Sequence, residues 1–209
     1  MRALRHLRVL ALPIAASLAA ACSSPRPPVS GSNYVERVAA GRAAKDDDFR
    51  KAADGQPIPK DRRDQFLPLA YFPIDPDYKA AAVFTASGDQ TAFSMPTSTG
   101  TMRQMRRAGT LAFTLKGQPL TLTAFNEVGE DPSHLFVPFS DLTSGAETYP
   151  AGRYLDLDRN ATGLYEVDFN LAYHPYCYYN LTYECPLPPL ENRLKRPIHA
   201  GERLKQPNK

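Results

Sequence analysis

Residues 110–125 read Thr110-Leu-Ala-Phe-Thr-Leu-Lys-Gly-Gln-Pro-Leu-Thr-Leu-Thr-Ala-Phe125. Apolar and polar side chains alternate on both sides of Gly117-Gln118, the period of two strands each burying one face, with a turn dipeptide between them. The same signature extends outward in both directions. Leu67 to Phe72, Ala80 to Thr85, Leu135 to Phe139, Tyr154 to Leu157 and Leu164 to Phe169 are short, rich in β-branched or aromatic residues, and separated by Gly, Pro, Asp and Asn. Many short strands, with no βαβ alternation and no internal repeat, predict a mainly β fold with a minor α component. The expected architecture is a single antiparallel β-sandwich or partly open β-barrel. Ser32 to about Asp54 is helix-favouring, with Asp46 and Asp47 four residues before Arg50 and Lys51. Val35, Val38, Phe49 and Ala53 give it only a partial apolar stripe, so this N-terminal helix is expected to pack at one side of the β-body. Ser32 can cap its start and Gly55 its end. From Pro186 onward the prolines predict an extended tail wrapped over the surface.

The beginning of the chain reads as an address. Arg2, Arg5 and Arg8 precede an apolar run from Val9 to Ala21, too short to span a bilayer, that ends in Leu18-Ala-Ala-Ala-Cys22. Small residues before a cysteine resemble a lipobox, although Leu18 lies four residues before the cysteine where the usual leucine lies three before. An ordinary secretory signal that happens to contain Cys22 is the alternative. The expected organisation is therefore a signal peptide over 1–21, a lipidated Cys22 with a Pro/Ser-rich tether over 22–31, and one globular domain over 32–209. Acyl chains on Cys22, at about 0.8 kcal/mol per buried methylene, anchor such a protein permanently. The predicted location is the cell envelope, facing the periplasm, on the outer membrane in preference to the inner, as a monomer.

This leader also explains the charge. The chain of 209 residues carries 25 Lys+Arg against 22 Asp+Glu. Without Arg2, Arg5 and Arg8 the remainder has 22 of each, so the basic excess belongs to the export signal and no nucleic-acid partner is expected. With Cys22 committed to lipid, Cys177 and Cys185 form an even pair in an oxidising compartment. A disulfide between them would close a short ring, contributing on the order of 2.5 kcal/mol. A metal site drawing on His174, Cys177 and Cys185 is the alternative, but seven residues between the cysteines exceed the spacing that zinc knuckles use. Neither metal nor cofactor is expected.

Two stretches could hold chemistry. In 153–169 the alternation puts Arg153, Leu155 and Leu157 on one face and Tyr154, Asp156 and Asp158 on the other; Tyr165, Val167 and Phe169 likewise alternate with Glu166, Asp168 and Asn170. If Arg159 to Thr162 turns the two strands into a hairpin, one register sets Arg153 opposite Asp168 as an ion pair. The register one step away clusters Asp156, Asp158 and Glu166. The second stretch is Thr97-Ser98-Thr99-Gly100-Thr101 followed by Arg103, Arg106 and Arg107, where hydroxyls, amides and guanidinium groups can hold an anion. A phosphate-binding Walker loop, a Gly-x-Ser-x-Gly elbow, a His-Glu-x-x-His helix and paired Cys-x-x-Cys motifs are all absent.

At these residues the chain resembles a bacterial and archaeal family known as domain of unknown function 1684. The resemblance rests on Lys45-Asp46 with Phe49-Arg50, Tyr71-Phe72-Pro73 with Asp75-Pro76, and Thr97 to Gly100 with Arg103. It continues through Phe136 to Phe139, Thr143-Ser144-Gly145 leading into Glu147-Thr148-Tyr149, and Gly152 to Asp156. Asp168-Phe169-Asn170, Pro175-Tyr176-Cys177, Cys185 to Pro189, Glu191 to Leu194 and Ala200-Gly201-Glu202 complete it. The family brings no established activity. The resemblance implies that the polar residues in those motifs, among them Arg103, Glu147, Arg153, Asp156, Asp168, Asn170, Asn192 and Arg193, converge on one place.

Three functions are compatible with this reading. The first is a lipid-anchored domain holding a small anionic ligand among Thr97, Ser98, Thr99, Arg103, Arg153, Asn170, Asn192 and Arg193, which requires the arginines to meet. The second is an envelope hydrolase using Glu147, Asp156 or Asp168 as acid or base, with or without a divalent cation. The third is a structural or assembly partner with no ligand, which requires an exposed apolar patch.

Overall fold

The alternation of residues 110–125 folds into a hairpin in the computed structural model, which describes residues 31–53 and 56–205. The expected signal peptide, Cys22, residues 23–30 of the tether, the capping side chain of Ser32 and the helix stop at Gly55 lie outside the described residues; Gly31 already belongs to the helix. The strands are β1 (Lys79–Ala86), β2 (Phe93–Pro96), β3 (Met102–Leu115), β4 (Gln118–Glu127), β5 (Leu135–Phe139), β6 (Arg153–Leu157) and β7 (Tyr165–Asp168). They form one antiparallel sheet in the order β6-β5-β4-β3-β1-β7, with β2 paired to the outer end of β3. The sheet curls until β6 and β7, its two edges, approach each other, so the body is a nearly closed barrel. The mainly β prediction is met in its partly open barrel form.

The turn of the hairpin lies one residue earlier than predicted. Leu115 pairs with Gln118, and Lys116 (φ 48°) with Gly117 (φ 77°) make the two-residue loop. Both turn residues need positive φ to match the right-handed strand twist, which is why glycine sits at the second. Inward of this turn Leu111, Phe113, Leu115 and Leu122 are buried. They meet Val137 and Phe139 of β5, Leu155 and Leu157 of β6, and Tyr165 and Val167 of β7. Phe169 lies against Phe113 and Phe139 with ring centroids 5.9 and 5.2 Å away. Burial of each such side chain contributes about 1.5–3 kcal/mol.

One β-bulge divides the long strand β3 into two faces. Arg107 pairs with Phe125 and Gly109 with Ala124, so Ala108 is an extra residue. Beyond it the odd-numbered side chains of β3 change sides. Leu111 and its successors point into the barrel, whereas Met105 joins Met95 and Phe125 in a separate cluster, with Phe93 and Phe136 packed against it.

Three expectations about elements are corrected. Leu67 to Phe72 is not a strand: it runs beside the C-terminal segment through Phe72 N–H to Gly201 O and Arg203 N–H to Ala70 O, with one bridge at Tyr71 and Glu202. The tail after Pro186 is extended but does not stay on the surface. Leu194, Ile198 and Ala200 are buried in the barrel core. β6 and β7 are not a hairpin, since Phe139 faces Arg153 across β5/β6 and Lys79 faces Asp168 across β1/β7. Neither register proposed for Arg153 and Asp168 therefore exists, because the two strands occupy opposite edges of the sheet.

The N-terminal helix α1 (Gly31–Lys51) packs at one side as expected, burying Val38 and Phe49 of the partial apolar stripe and adding polar contacts beside them. Tyr34, Val38, Arg42, Lys45 and Phe49 recur at spacings of three and four, which aligns them on one helix face. The Tyr34 hydroxyl bonds both Asp168 carboxylate oxygens at 2.9 and 2.8 Å. Arg42 donates to Phe72 O and Asn170 O, and Lys45 to Glu202 at 2.6 Å.

Candidate functional site

The cysteine-bearing stretch 173–186 decides where a cavity can form. It runs back across the outside of the sheet, and its short helix α2 (Tyr176–Tyr179) follows Pro175. The loop 97–101 holds its far end. Ser98 N–H donates to Cys185 O, Cys185 N–H to Ser98 Oγ, and Ser98 Oγ–H to Tyr183 O. Thr97, Thr99 and Thr101 hydroxyls bond one another at 2.7–3.1 Å, so their capacity is spent inside the loop. Thr97, Ser98 and Thr99 thus fasten a strap, and do not offer the open anion loop expected of them.

Between this strap and the outer face of β3 to β6 lies a cleft of about 670 Å³, within the size range of small-molecule sites. The sheet contributes Arg103 and Met105 from β3, Glu127 from β4, Phe136 from β5, and Tyr154 and Asp156 from β6. The strap side contributes Tyr173, Tyr176, Tyr183, Glu184 and Cys185, the loop before β5 adds Glu130, Asp131 and His134, and Lys45 reaches in from α1. The pairing of Phe136 with Asp156 and of Pro138 with Tyr154 explains why these residues share the outer face while Arg153 and Leu155 turn inward.

The aromatic walls interlock edge to face, Phe136 with Tyr154 at 4.7 Å, Tyr154 with Tyr173 at 5.8 Å and Tyr176 with Tyr183 at 5.3 Å between centroids. At the lip Asp156 accepts the Tyr173 hydroxyl at 2.5 Å. His134 Nδ1 lies 2.9 Å from Asp158 and its Nε2 3.6 Å from Asp156. The hydrogen bond that His134 donates to Asp158, aided by the charge of Asp156, raises the His134 pKa above its ordinary value against the opposing effect of burial. Burial, with the Asp156 charge, pushes the Tyr173 phenol far up, so it serves as a donor.

The arginines expected to converge do not. Arg103 lines the cleft; Arg193 is exposed; Arg153 is wholly buried inside the barrel. Arg153 donates to Asp141 at 2.9 Å, to Ile198 O and Glu202 O at 2.8 and 3.1 Å, and to Ala200 O. It thereby gathers the C-terminal segment onto β6. Asn192 is equally structural, donating to Thr123 O and Pro138 O and accepting from Thr123 N–H, which bridges β4 and β5 where only Phe125 and Phe136 pair. Asn170 is tied to the Asp75 backbone and to Tyr34. These side chains serve the protein's own buried groups, and none of the three lines the cleft; Arg153 Nε, the one donor of Arg153 without a partner, is enclosed in the barrel.

Of the three candidate acids only Asp156 reaches the cleft. Asp168 is buried against Tyr34 and Asn170, and Glu147 pairs with His199 at 3.1 Å on the surface. His174 is buried, and burial, opposed by the Glu202 charge, lowers its pKa to about 4, so it is neutral at pH 7. Cys177 and Cys185 are buried free thiols side by side, with Cys177 N–H 3.2 Å from the Cys185 sulfur, and so the predicted disulfide is not formed here. Hydrogen bonding from the Cys185 thiol lowers the Cys177 pKa and raises that of Cys185. Among the described residues no three His, Cys, Asp or Glu side chains gather as metal ligands.

Sequence reasoning missed the aromatic walls and the acids Glu127, Glu130, Asp131 and Glu184. The aromatic density of Tyr173 to Tyr183 was the available signal for the first of these.

A search of curated proteins finds no match. Among solved structures the chain is similar to the solution NMR structure of an uncharacterized protein from gene locus rrnAC0354 of Haloarcula marismortui. The two are 38% identical, with 82% of this chain and 95% of that chain covered and a TM-score of 0.63. The family model described as Protein of unknown function (DUF1684) matches residues 64–203, which include every strand of the barrel. The chain belongs to the DUF1684 family.

Proposed function

We propose that this protein is a lipid-anchored envelope protein that binds a small molecule in the cleft between the strap 173–186 and the outer face of the sheet. The observation that carries the reading is the cleft itself: about 670 Å³, walled by aromatic rings and rimmed by polar groups on several elements. Anchoring rests on the leader and Cys22, with the domain held off an outer-membrane surface as a monomer facing the periplasm. The structure holds Cys177 and Cys185 as adjacent thiols; in that setting a disulfide oxidant of the compartment would take their two electrons and two protons and join them, fixing the strap. The three arginines that would hold an anion are apart, Arg103 in the cleft, Arg153 in the barrel core and Arg193 exposed.

Native mass spectrometry of the protein purified from its own envelope tests the binding reading. A co-purifying small molecule is expected on the wild type and is lost when the exposed wall residue Tyr176 is replaced by alanine. A bare mass for both proteins would overturn it.

A second reading, a hydrolase, draws on one feature, the chain Tyr173–Asp156–His134 at the cleft lip, which can hold and move a proton. It requires turnover that Asp156→Asn abolishes without loss of fold.

A further inference from the structure

We infer that the ligand of this cleft is an organic cation, an amine or quaternary ammonium carrying an apolar body. The inference rests on the cleft being a binding site and names its ligand class.

The charge at the mouth is one-sided. Glu127, Glu130, Asp131, Asp156 and Glu184 line the cleft against two permanent cations, Lys45 and Arg103. Both cations are already engaged. Lys45 lies 2.6 Å from the buried Glu202, and Arg103 reaches Glu127 at 3.4 Å and Glu184 O at 3.0 Å. An incoming anion would have to displace these contacts and then face the acids. The carboxylates of Glu130 and Glu184, by contrast, have no ion-pair or hydrogen-bond partner among the described residues and stand open to a positive charge. A mouth lined by one sign of charge concentrates ions of the other.

The walls point to the same class. Phe136, Tyr154, Tyr173, Tyr176 and Tyr183 supply rings whose faces attract cations and whose area accepts an apolar body. The volume also argues for an organic ligand, because about 670 Å³ far exceeds a bare ion. The acids stand round the rim, and no three of them with His or Cys gather as hard-cation ligands do.

The test is an amide-detected NMR titration of the purified full chain with three probes of matched body: benzyltrimethylammonium, benzyl alcohol and benzenesulfonate. The cationic probe is expected to shift the amides of Phe136, Tyr154, Asp156 and Tyr183 and to bind about tenfold more tightly than either other probe, the scale of a desolvated cation–π contact. Replacing the exposed pair together, Glu130→Gln with Glu184→Gln, is expected to weaken the cation about threefold and leave benzyl alcohol unchanged. Equal or tighter binding of benzyl alcohol or benzenesulfonate at these residues would overturn the cation assignment and keep the cleft as a binding site. If no probe shifts the cleft amides, both the cation assignment and the binding reading fail.

Discussion

At the scale of single residues the polar side chains divide by what they touch. Arg153 carries a full charge in the barrel core, balanced by Asp141 and three backbone carbonyls. Asp141 in turn accepts from Thr143 N–H and Oγ and from Ile198 N–H. Removing one partner of such a pair leaves the other charge buried without its counterion. Arg153→Met is therefore expected to lower stability by about 3–5 kcal/mol. Urea unfolding checks this, and an unchanged midpoint would show that the pair does not hold the C-terminal segment. The residue identities were legible in the sequence, as was the sharing of one face by Arg153, Leu155 and Leu157; that this face points inward was not. The partner was not legible. A guanidinium in a motif looks the same whether it serves a ligand or three carbonyls of its own chain, because the carbonyls come from residues 198–202, remote in sequence.

At the scale of elements the bulge at Ala108 and the helix α1 do what the strands alone cannot. The bulge gives β3 one face in the core and one in the outer cluster beside the cleft, so the same hairpin builds both. Helix α1 lies against the seam between β6 and β7 through Tyr34 and Val38, where a second, smaller cavity of about 320 Å³ opens. Its hold there combines the buried Val38 with a hydrogen bond from Tyr34 to a buried carboxylate. Tyr34→Phe keeps the ring and removes the hydroxyl from Asp168, with an expected loss of about 1.5–3 kcal/mol, the range for a hydrogen bond to a charged group. Hydrogen exchange should report it as faster exchange in α1 and β7 and unchanged protection in the β3/β4 hairpin. Equal acceleration everywhere would mean that the helix is not a separate latch. Strand positions followed from the sequence for six of the seven predicted runs, and the alternation of faces for the hairpin 110–125 and for 153–169. The pairing of β6 with β7 did not, because period-two patterning fixes a face and leaves the neighbour open.

At the scale of the whole molecule the proposed envelope location makes two predictions, one at Cys22 and one at the strap cysteines. A fatty acid supplied to growing cells is expected to label the wild type and not Cys22→Ser. On the same purified wild type, Cys177 and Cys185 are expected to resist alkylation under denaturing conditions until a reductant is added. Label on Cys22→Ser would remove the lipid anchor, and alkylation without reductant would remove the disulfide.

The sequence by itself determined that the chain is mainly antiparallel β with one flanking helix, which residues share a face in 110–125 and 153–169, and that the basic excess equals Arg2, Arg5 and Arg8. These are local properties, written in alternation, turn chemistry and composition. Only the tertiary structure decided that the sheet curls until its edges meet, that Arg153, Asn170 and Asn192 serve the fold, and that the aromatic and acidic residues of distant segments enclose a cleft. The physical reason is that a buried polar group is satisfied by whatever partner the topology brings within hydrogen-bond reach, and in this barrel those partners lie tens of residues away along the chain.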